Sequence, residues 1–343
     1  MWSWRRSRRE ASQRADEIVE QVEAGVGRTW HRALAVGLVA ALAIGLWGLG
    51  WYWSREPAPL DPTAGTASDA AGVTTANALI DVASTLVGKP GGYLRNDVMP
   101  PGVLLDNMPS WEYGVLVQVR ALTHTLRNEI SRPQAQSPPD PDLSLAEPRF
   151  NVDSESWLFP RDESAYGEAI DHLRSYRDRL QDDDAEPPAF FQARAKNLTL
   201  WLEVVSRRLG GLSERLELGA SAFPLEGERG EPGDAAARKP TLSTSWWQTD
   251  DVFYEARGSA WALLAFTRAL EVDFHQVLKD KNALSTFRNL EHTLAEAERP
   301  MRSPMVLSGG GFGVVPSHDL TMSAYVSSAV NIIDTLQTLM QND

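Results

Sequence analysis

The chain has 343 residues, 43% of them hydrophobic, with 46 acidic and 33 basic side chains and no cysteine. That composition excludes a disordered chain and a polytopic membrane protein. Without cysteine there is no disulfide scaffold, no thiolate nucleophile and no zinc site built on thiolates.

The first readable element is a run of 22 uncharged residues, Ala33 to Ser54. At about 1.5 Å per residue it spans a hydrocarbon core of roughly 30 Å. Trp30 stands at one end and Trp47, Trp51, Tyr52 and Trp53 at the other, where amphipathic rings favour the headgroup level. The run is too long for the apolar part of a cleaved signal peptide. The nearest small-residue stretch, Ala64 to Ala71, lies well past it. A retained anchor is therefore expected, with the bilayer as its partner.

Residues 1–32 form an Arg-rich tail holding seven arginines and five acids. Only Arg55 follows the span closely. The positive-inside bias places the tail in the cytoplasm and the rest across a bacterial inner membrane, in the periplasm. Whether Arg5–Gly27 is a solvated tail or a membrane-surface helix is left open. The formal charge is −13; removing the tail's +2 and Arg55 leaves −16 on residues 56–343. So acidic a domain repels phosphate backbones, and no nucleic-acid partner is expected.

Residues 55–72, rich in Pro, Ala, Gly and Thr, read as an extended tether before an all-α domain, 73–343. Apolar spacings of three and four predict helices over Thr75–Val87, Trp111–Ile130 and Ser164–Leu180. Ser110 is the expected N-cap of the second. Pro188 opens the next helix, whose stripe runs from Phe191 to Leu216. A long helix starts at Asp250 and continues to Leu294, with a break near Lys281–Asn282. Leu320–Met340 is the last. The near-strict alternation is the seam of an antiparallel helical bundle.

Four loops punctuate these helices. The proline-rich stretch 131–163 reads as dispensable for the core, and 219–245 as a flexible insert. By contrast, 88–110 and 300–318 interleave turn formers with large apolar residues. They are expected to pack on the helix ends and carry function. Gly91 and Gly92 after Pro90 read as a tight turn. Tyr93, Trp111 and Phe312 are the interaction candidates of these regions.

The stretches GWYWSREP (50–57), KPGGYLRNDVMPPGVLLDNMPSWEYGVLVQVR (89–120), DDVFYEARGSAWALL (250–264), KNALSTFR (281–288) and SPMVLSGGGFGV (303–314) are distinctive. They resemble a Gram-negative inner-membrane family catalogued as domain of unknown function 2333, collinearly over roughly residues 45 to 340. The resemblance implies a single-span protein with a periplasmic helical domain. It brings no reaction, substrate or active-site assignment.

No catalytic signature is visible. The six histidines show no i,i+4 pair, so neither a metal nor a cofactor is expected. Gly309, Gly310, Gly311 and Gly313 lack the Lys-Ser/Thr of a phosphate loop. Ser259 lies on a helix, not in a nucleophile elbow. Carboxylates are the one chemical option: Asp97 and Asp106 in the first apolar loop, Glu112 after it, and Glu255 beside Asp250 and Asp251. Paired in a cleft they could cleave a glycosidic bond. Each also has a structural role at hand: Asp250 and Asp251 as helix cap and first-turn charge, Asp97 and Asp106 in turns, Glu255 and Arg257 in ion pairs with partners elsewhere. The favoured reading is an envelope interaction or scaffold protein with an envelope protein partner. The alternative is a carboxylate-dependent periplasmic cell-wall hydrolase. Homo-oligomerisation stays open, since Gly45–Gly50 offers small residues for helix contact.

Overall fold

Ten helices and no strand occur among the residues described by the computed structural model, namely 33–63, 70–97, 99–152, 162–221, 246–299 and 318–341. They divide into two compact units, one ending at Tyr52 and one beginning at Trp53. The described part of the first is α1 (Ala33–Trp53) up to Tyr52, long and apolar enough to cross a bilayer. Its apolar side chains are exposed all round, as at Val36, Leu38 and Ile44. Such a helix fits a membrane anchor or a signal sequence. The Arg-rich tail lies outside the described residues.

The second unit is built around α7 (Trp246–Asp273). Every residue from Ala256 to Thr267 is buried, so α7 is buried on all its faces there and shows no solvated stripe. Small residues allow this. Gly258, Ser259, Ala260, Ala262 and Ala265 let neighbouring backbones come close. Around α7 pack α2 (Val73–Gly88), α3 (Asn107–Thr125), α6 (Ala195–Ser221) and α9 (Leu284–Ala297). α10 (His318–Gln341) lies on α6 and α9, and α4 (Pro141–Phe150) pairs with α5 (Asp162–Leu180), which reaches α2. A short α8 (His275–Asp280) links α7 to α9. The expected break appears as two: at Phe274, and at Lys281–Ala283, where Asn282 takes φ 52°.

Four boundaries differ from expectation, each for a local reason. α3 starts at Asn107, capped by the Asp106 carboxylate on the Asn107 N–H at 2.9 Å, so Ser110 is not its cap. α7 starts at Trp246, which places Asp250 and Asp251 inside the helix rather than at its cap. α6 starts at Ala195, not Pro188. Pro187 and Pro188 keep the chain out of the helical region, and it runs past Ile130, whose carbonyl accepts the Gln192 N–H at 2.8 Å. The proline-rich stretch contains α4, which the core needs: Asp140 caps it, Pro141 occupies its first turn, and Leu143, Ala146 and Phe150 are fully buried. Of the expected insert 219–245, residues 219–221 end α6 and the rest lie outside the described residues.

The segment after α1 is not a free tether over its first part. Glu56 forms a bidentate pair with Arg257, with Nε–Oε1 at 2.9 Å and Nη2–Oε2 at 2.5 Å. Trp261 Nε1 donates to the Ala58 carbonyl at 3.1 Å, and Arg268 Nη1 to the Leu60 carbonyl at 3.0 Å. Three side chains of α7 thus strap residues 56–60 to the central helix. Farther on, the Asp273 carboxylate at the end of α7 accepts the Gly72 and Thr75 N–H groups at 3.0 and 2.7 Å. It caps α2 from 201 residues beyond Gly72 and 198 beyond Thr75 in sequence.

Candidate functional site

The site begins with a buried ion pair. Lys89 Nζ lies 2.5 Å from Glu112 Oε1, with side chains 1% and 0% exposed. Glu112 also accepts the Leu94 N–H at 2.9 Å and the Arg95 N–H at 2.8 Å, while Lys89 donates to the Gly92 carbonyl at 2.7 Å. Residues 89–95 are therefore wrapped around one carboxylate. The expected tight turn is present: Gly91 and Gly92 take φ 89° and 70°, and the Gly92 N–H reaches the Lys89 carbonyl. Burial pushes the Glu112 carboxyl up, with Lys89 and the two amides pulling it back.

This foundation sets Arg95 at the mouth of a cleft of about 440 Å³, lined by Arg95, Ser110, Tyr113, Arg215, Asp251 and Glu255 together with Leu218 and Val252. The loop, α3, α6 and α7 each contribute a wall. The Arg95 guanidinium lies 4.4 Å over the Tyr113 ring. Ser110 Oγ donates to Asp251 at 3.0 Å, and Arg215 Nη2 pairs with Glu255 at 2.7 Å. Asp251 and Glu255, four residues apart on α7, are neighbours on one helix face. Burial raises the Asp251 carboxyl, the Ser110 hydroxyl lowers it, and nearby Asp106 raises it further.

Of the six carboxylates weighed from sequence, Asp251 and Glu255 line the cleft. Glu112 lies beneath it, sealed from solvent, with its oxygens taken by Lys89 and two amides; it cannot reach a substrate. Asp106 caps α3 at the edge. Asp97 sits in the loop turn, its carboxylate against the Gly102 backbone. Tyr93 and Trp111 are buried, 1% and 0% exposed, and present no surface to a partner; Phe312 lies outside the described residues. Glu255 and Arg257 pair with Arg215 and Glu56; of the buried pairing expected for both, Arg257 is buried in its pair, while Glu255 meets a half-exposed Arg215. Ser259 is buried on α7 and donates to the Gly114 carbonyl. Sequence reasoning missed Arg95, Tyr113 and Arg215, since a lone arginine or tyrosine on a polar face carries no pattern. Among the described residues no group of three or more His, Asp or Glu side chains could hold a metal ion.

The loop also keeps part of its apolar content outside. Tyr93, Leu94 and Met108 pack into the core as expected, but Met99, Val103 and Leu104 are 72%, 51% and 73% exposed.

Fold and cleft together define an all-α protein with one N-terminal apolar helix and a helical unit whose central helix is buried along its middle, Ala256 to Thr267. The chain belongs to the family DUF2333, described as "Uncharacterized protein conserved in bacteria", whose model matches residues 24–343. No curated protein and no solved structure matches the chain.

Proposed function

We propose that this is a single-pass inner-membrane protein whose helical unit faces the periplasm and binds an envelope partner, as an interaction or scaffold protein. The observation that carries the reading is the strap. Signal cleavage within the small residues 64–71 would remove Glu56 and leave the Arg257 guanidinium, 5% exposed, without its carboxylate. A chain meant to lose its first helix has no reason to bond residues 56–60 to its central helix. The arginine asymmetry around the span supports the orientation. The cleft supports binding over cleavage, because both of its acids already have partners and Glu112 is sealed away. Arginines and acids side by side suit a polar peptide segment bearing both charges.

The test uses the full chain with tags at both ends. Both tags should stay in the membrane fraction, with only the C-terminal one open to protease in spheroplasts. A photo-crosslinking residue at exposed Leu218 on the cleft rim should then capture a discrete adduct in intact cells. A soluble, N-terminally shortened product would overturn the anchor, and repeated absence of an adduct would overturn the partner.

One observation favours a hydrolase as a second reading. Asp251, its carboxyl raised by burial, neighbours Glu255 in the same cleft, the asymmetry an acid and its companion carboxylate require. Full complementation of a deletion phenotype by both Asp251→Asn and Glu255→Gln would end it.

A further inference from the structure

We propose that the hollow between α3, α4 and α6 is a binding site for a small molecule carrying a phosphoryl group, with Arg208 as its main contact. The hollow shares no lining residue with the cleft of Arg95 and Asp251, and the proposal stands whether or not α1 is a retained anchor.

The hollow holds about 420 Å³, within the range of small-molecule sites. Arg120 and His124 of α3, Glu147 and Asn151 at the end of α4, and Arg207 and Arg208 of α6 line it. Three guanidinium groups therefore share one space with a single carboxylate. That carboxylate is already engaged. Glu147 Oε2 takes Arg127 Nη1 at 2.8 Å, and Oε1 lies 2.7 Å from His124 Nδ1.

None of the three arginines has its charge cancelled. Arg120 donates from Nε to the Phe150 carbonyl at 2.6 Å and from Nη2 to the Val152 carbonyl at 2.9 Å. Those neutral acceptors hold the guanidinium in place and leave its charge uncompensated. Arg207 meets Glu203 only at 4.0 Å, with both side chains well exposed, a pairing worth little. Arg208 makes no hydrogen bond or ion pair among the described residues. The protein around it takes water from its guanidinium and pulls it below its ordinary value; Tyr113 raises it, and Arg120 and Arg207 lower it again.

This cluster is not the by-product of a basic surface. Residues 56–343 carry a formal −16, so the long-range field opposes any anion here. Like charges held close together cost free energy until a counter-charge arrives. Guanidinium forks match phosphate oxygens two at a time. Three arginines against one carboxylate leave an excess of two positive charges. A phosphate monoester, about −2 at neutral pH, cancels that excess, whereas a carboxylate ligand cancels half of it. Glu147 and Asn151 offer polar partners to hydroxyl groups, so a phosphorylated sugar or polyol is the class that fits.

The test uses the full-length chain in a maltoside detergent and phosphate-free buffer, with about 0.15 M chloride to screen diffuse attraction. Calorimetric titration with glycerol 3-phosphate should show one saturable site with a Kd of about 1 mM or tighter, and inorganic phosphate should compete for it. Arg208→Gln removes a side chain on which the fold makes no bond. It should weaken binding about tenfold or more and leave the melting temperature in place. Arg174→Gln, on α5 and outside the hollow, should change neither. Absence of saturable binding for both probes would overturn the proposal. So would binding that keeps its full strength in both Arg208→Gln and Arg207→Gln, because the anion would then sit elsewhere. Binding of short-chain phosphatidic acid, with none of either soluble probe, would overturn the small-solute assignment in favour of a lipid headgroup.

Discussion

Gly114 on α3 and Gly258 on α7 form a reciprocal contact in which each helix backbone occupies the space of the other's missing side chain. A β-carbon on Gly258 would overlap the Trp111 carbonyl oxygen, and one on Gly114 the Glu255 carbonyl oxygen. The crossing brings Trp111 and Trp261 to 5.1 Å between ring centroids. It also sets Ser110 of α3 opposite Asp251 of α7, and so holds two walls of the cleft together. Since the obstacles are backbone atoms, a rotamer change cannot relieve them. Gly258→Ala and Gly114→Ala should each destabilise the unit by about 3 kcal/mol, the upper part of the usual overpacking range. A urea midpoint shift at constant slope reads it, and an unchanged midpoint would show that the helices are farther apart than described.

Replacing Glu112 separates a structural acid from a catalytic one. Glu112→Gln leaves the Lys89 ammonium buried without its counter-charge, which should cost about 3–5 kcal/mol. The double change Lys89→Met with Glu112→Leu should recover most of that loss, because apolar pairs of similar size replace buried ion pairs well. Glu255→Gln, whose partner Arg215 is half exposed, should cost under about 1 kcal/mol. Thermal melts of the four proteins test the ordering. A stable Glu112→Gln variant would contradict the wrapped-loop account.

A pH dependence follows from Glu298. It is buried with no group beside it that could neutralise it fully: its Oε1 has no hydrogen-bond partner among the described residues, and Arg257 is already held by Glu56. Burial pushes its carboxyl from the ordinary 4.5 up to about 8, with Arg257 lowering and Glu56 raising it. Between those values the folded state holds a proton that the unfolded state has released. Stability therefore falls as pH rises from about 4.5 to about 8, then levels off. Glu298→Gln should remove that slope, on the order of a few kcal/mol across the window. The difference between wild-type and variant melts at pH 5, 7 and 9, taken as about these values, isolates this group from Asp97, Asp251 and Asp273, whose burial acts in the same direction.

Periodicity made much of this fold legible. α5 and α10 begin within two residues of the pattern, because their stripes run unbroken between polar faces. α4 was hidden by its prolines, although Leu143, Ala146 and Phe150 keep the helical spacing and Pro141 is harmless in a first turn. The start of α3 was obscured because Ser110 has the chemistry of a cap while Asp106 holds the position. The cleft was only half visible. Glu255 was singled out, but what separates it from Glu112 is depth, a tertiary property. Glu56 and Arg257 are 201 residues apart, and no local pattern joins them.

That long-range pair yields the last prediction. If residues 56–60 belong to the folded unit, its true start lies at the end of α1 and not at α2. Glu56→Ala should destabilise the full chain by about 3 kcal/mol or more, because Arg257 stays buried while its remaining partners, the Ala297 and Arg299 carbonyls, carry no charge. Glu56→Ala with Arg257→Met should be milder, since the cost lies in the orphaned charge rather than in the missing contact. A fragment starting at residue 54 should melt well above one starting at residue 73, which also loses the Ala58 and Leu60 carbonyls that hold Trp261 and Arg268. Equal melting of the two fragments would show that the strap is adventitious, and would remove the main support for a retained anchor.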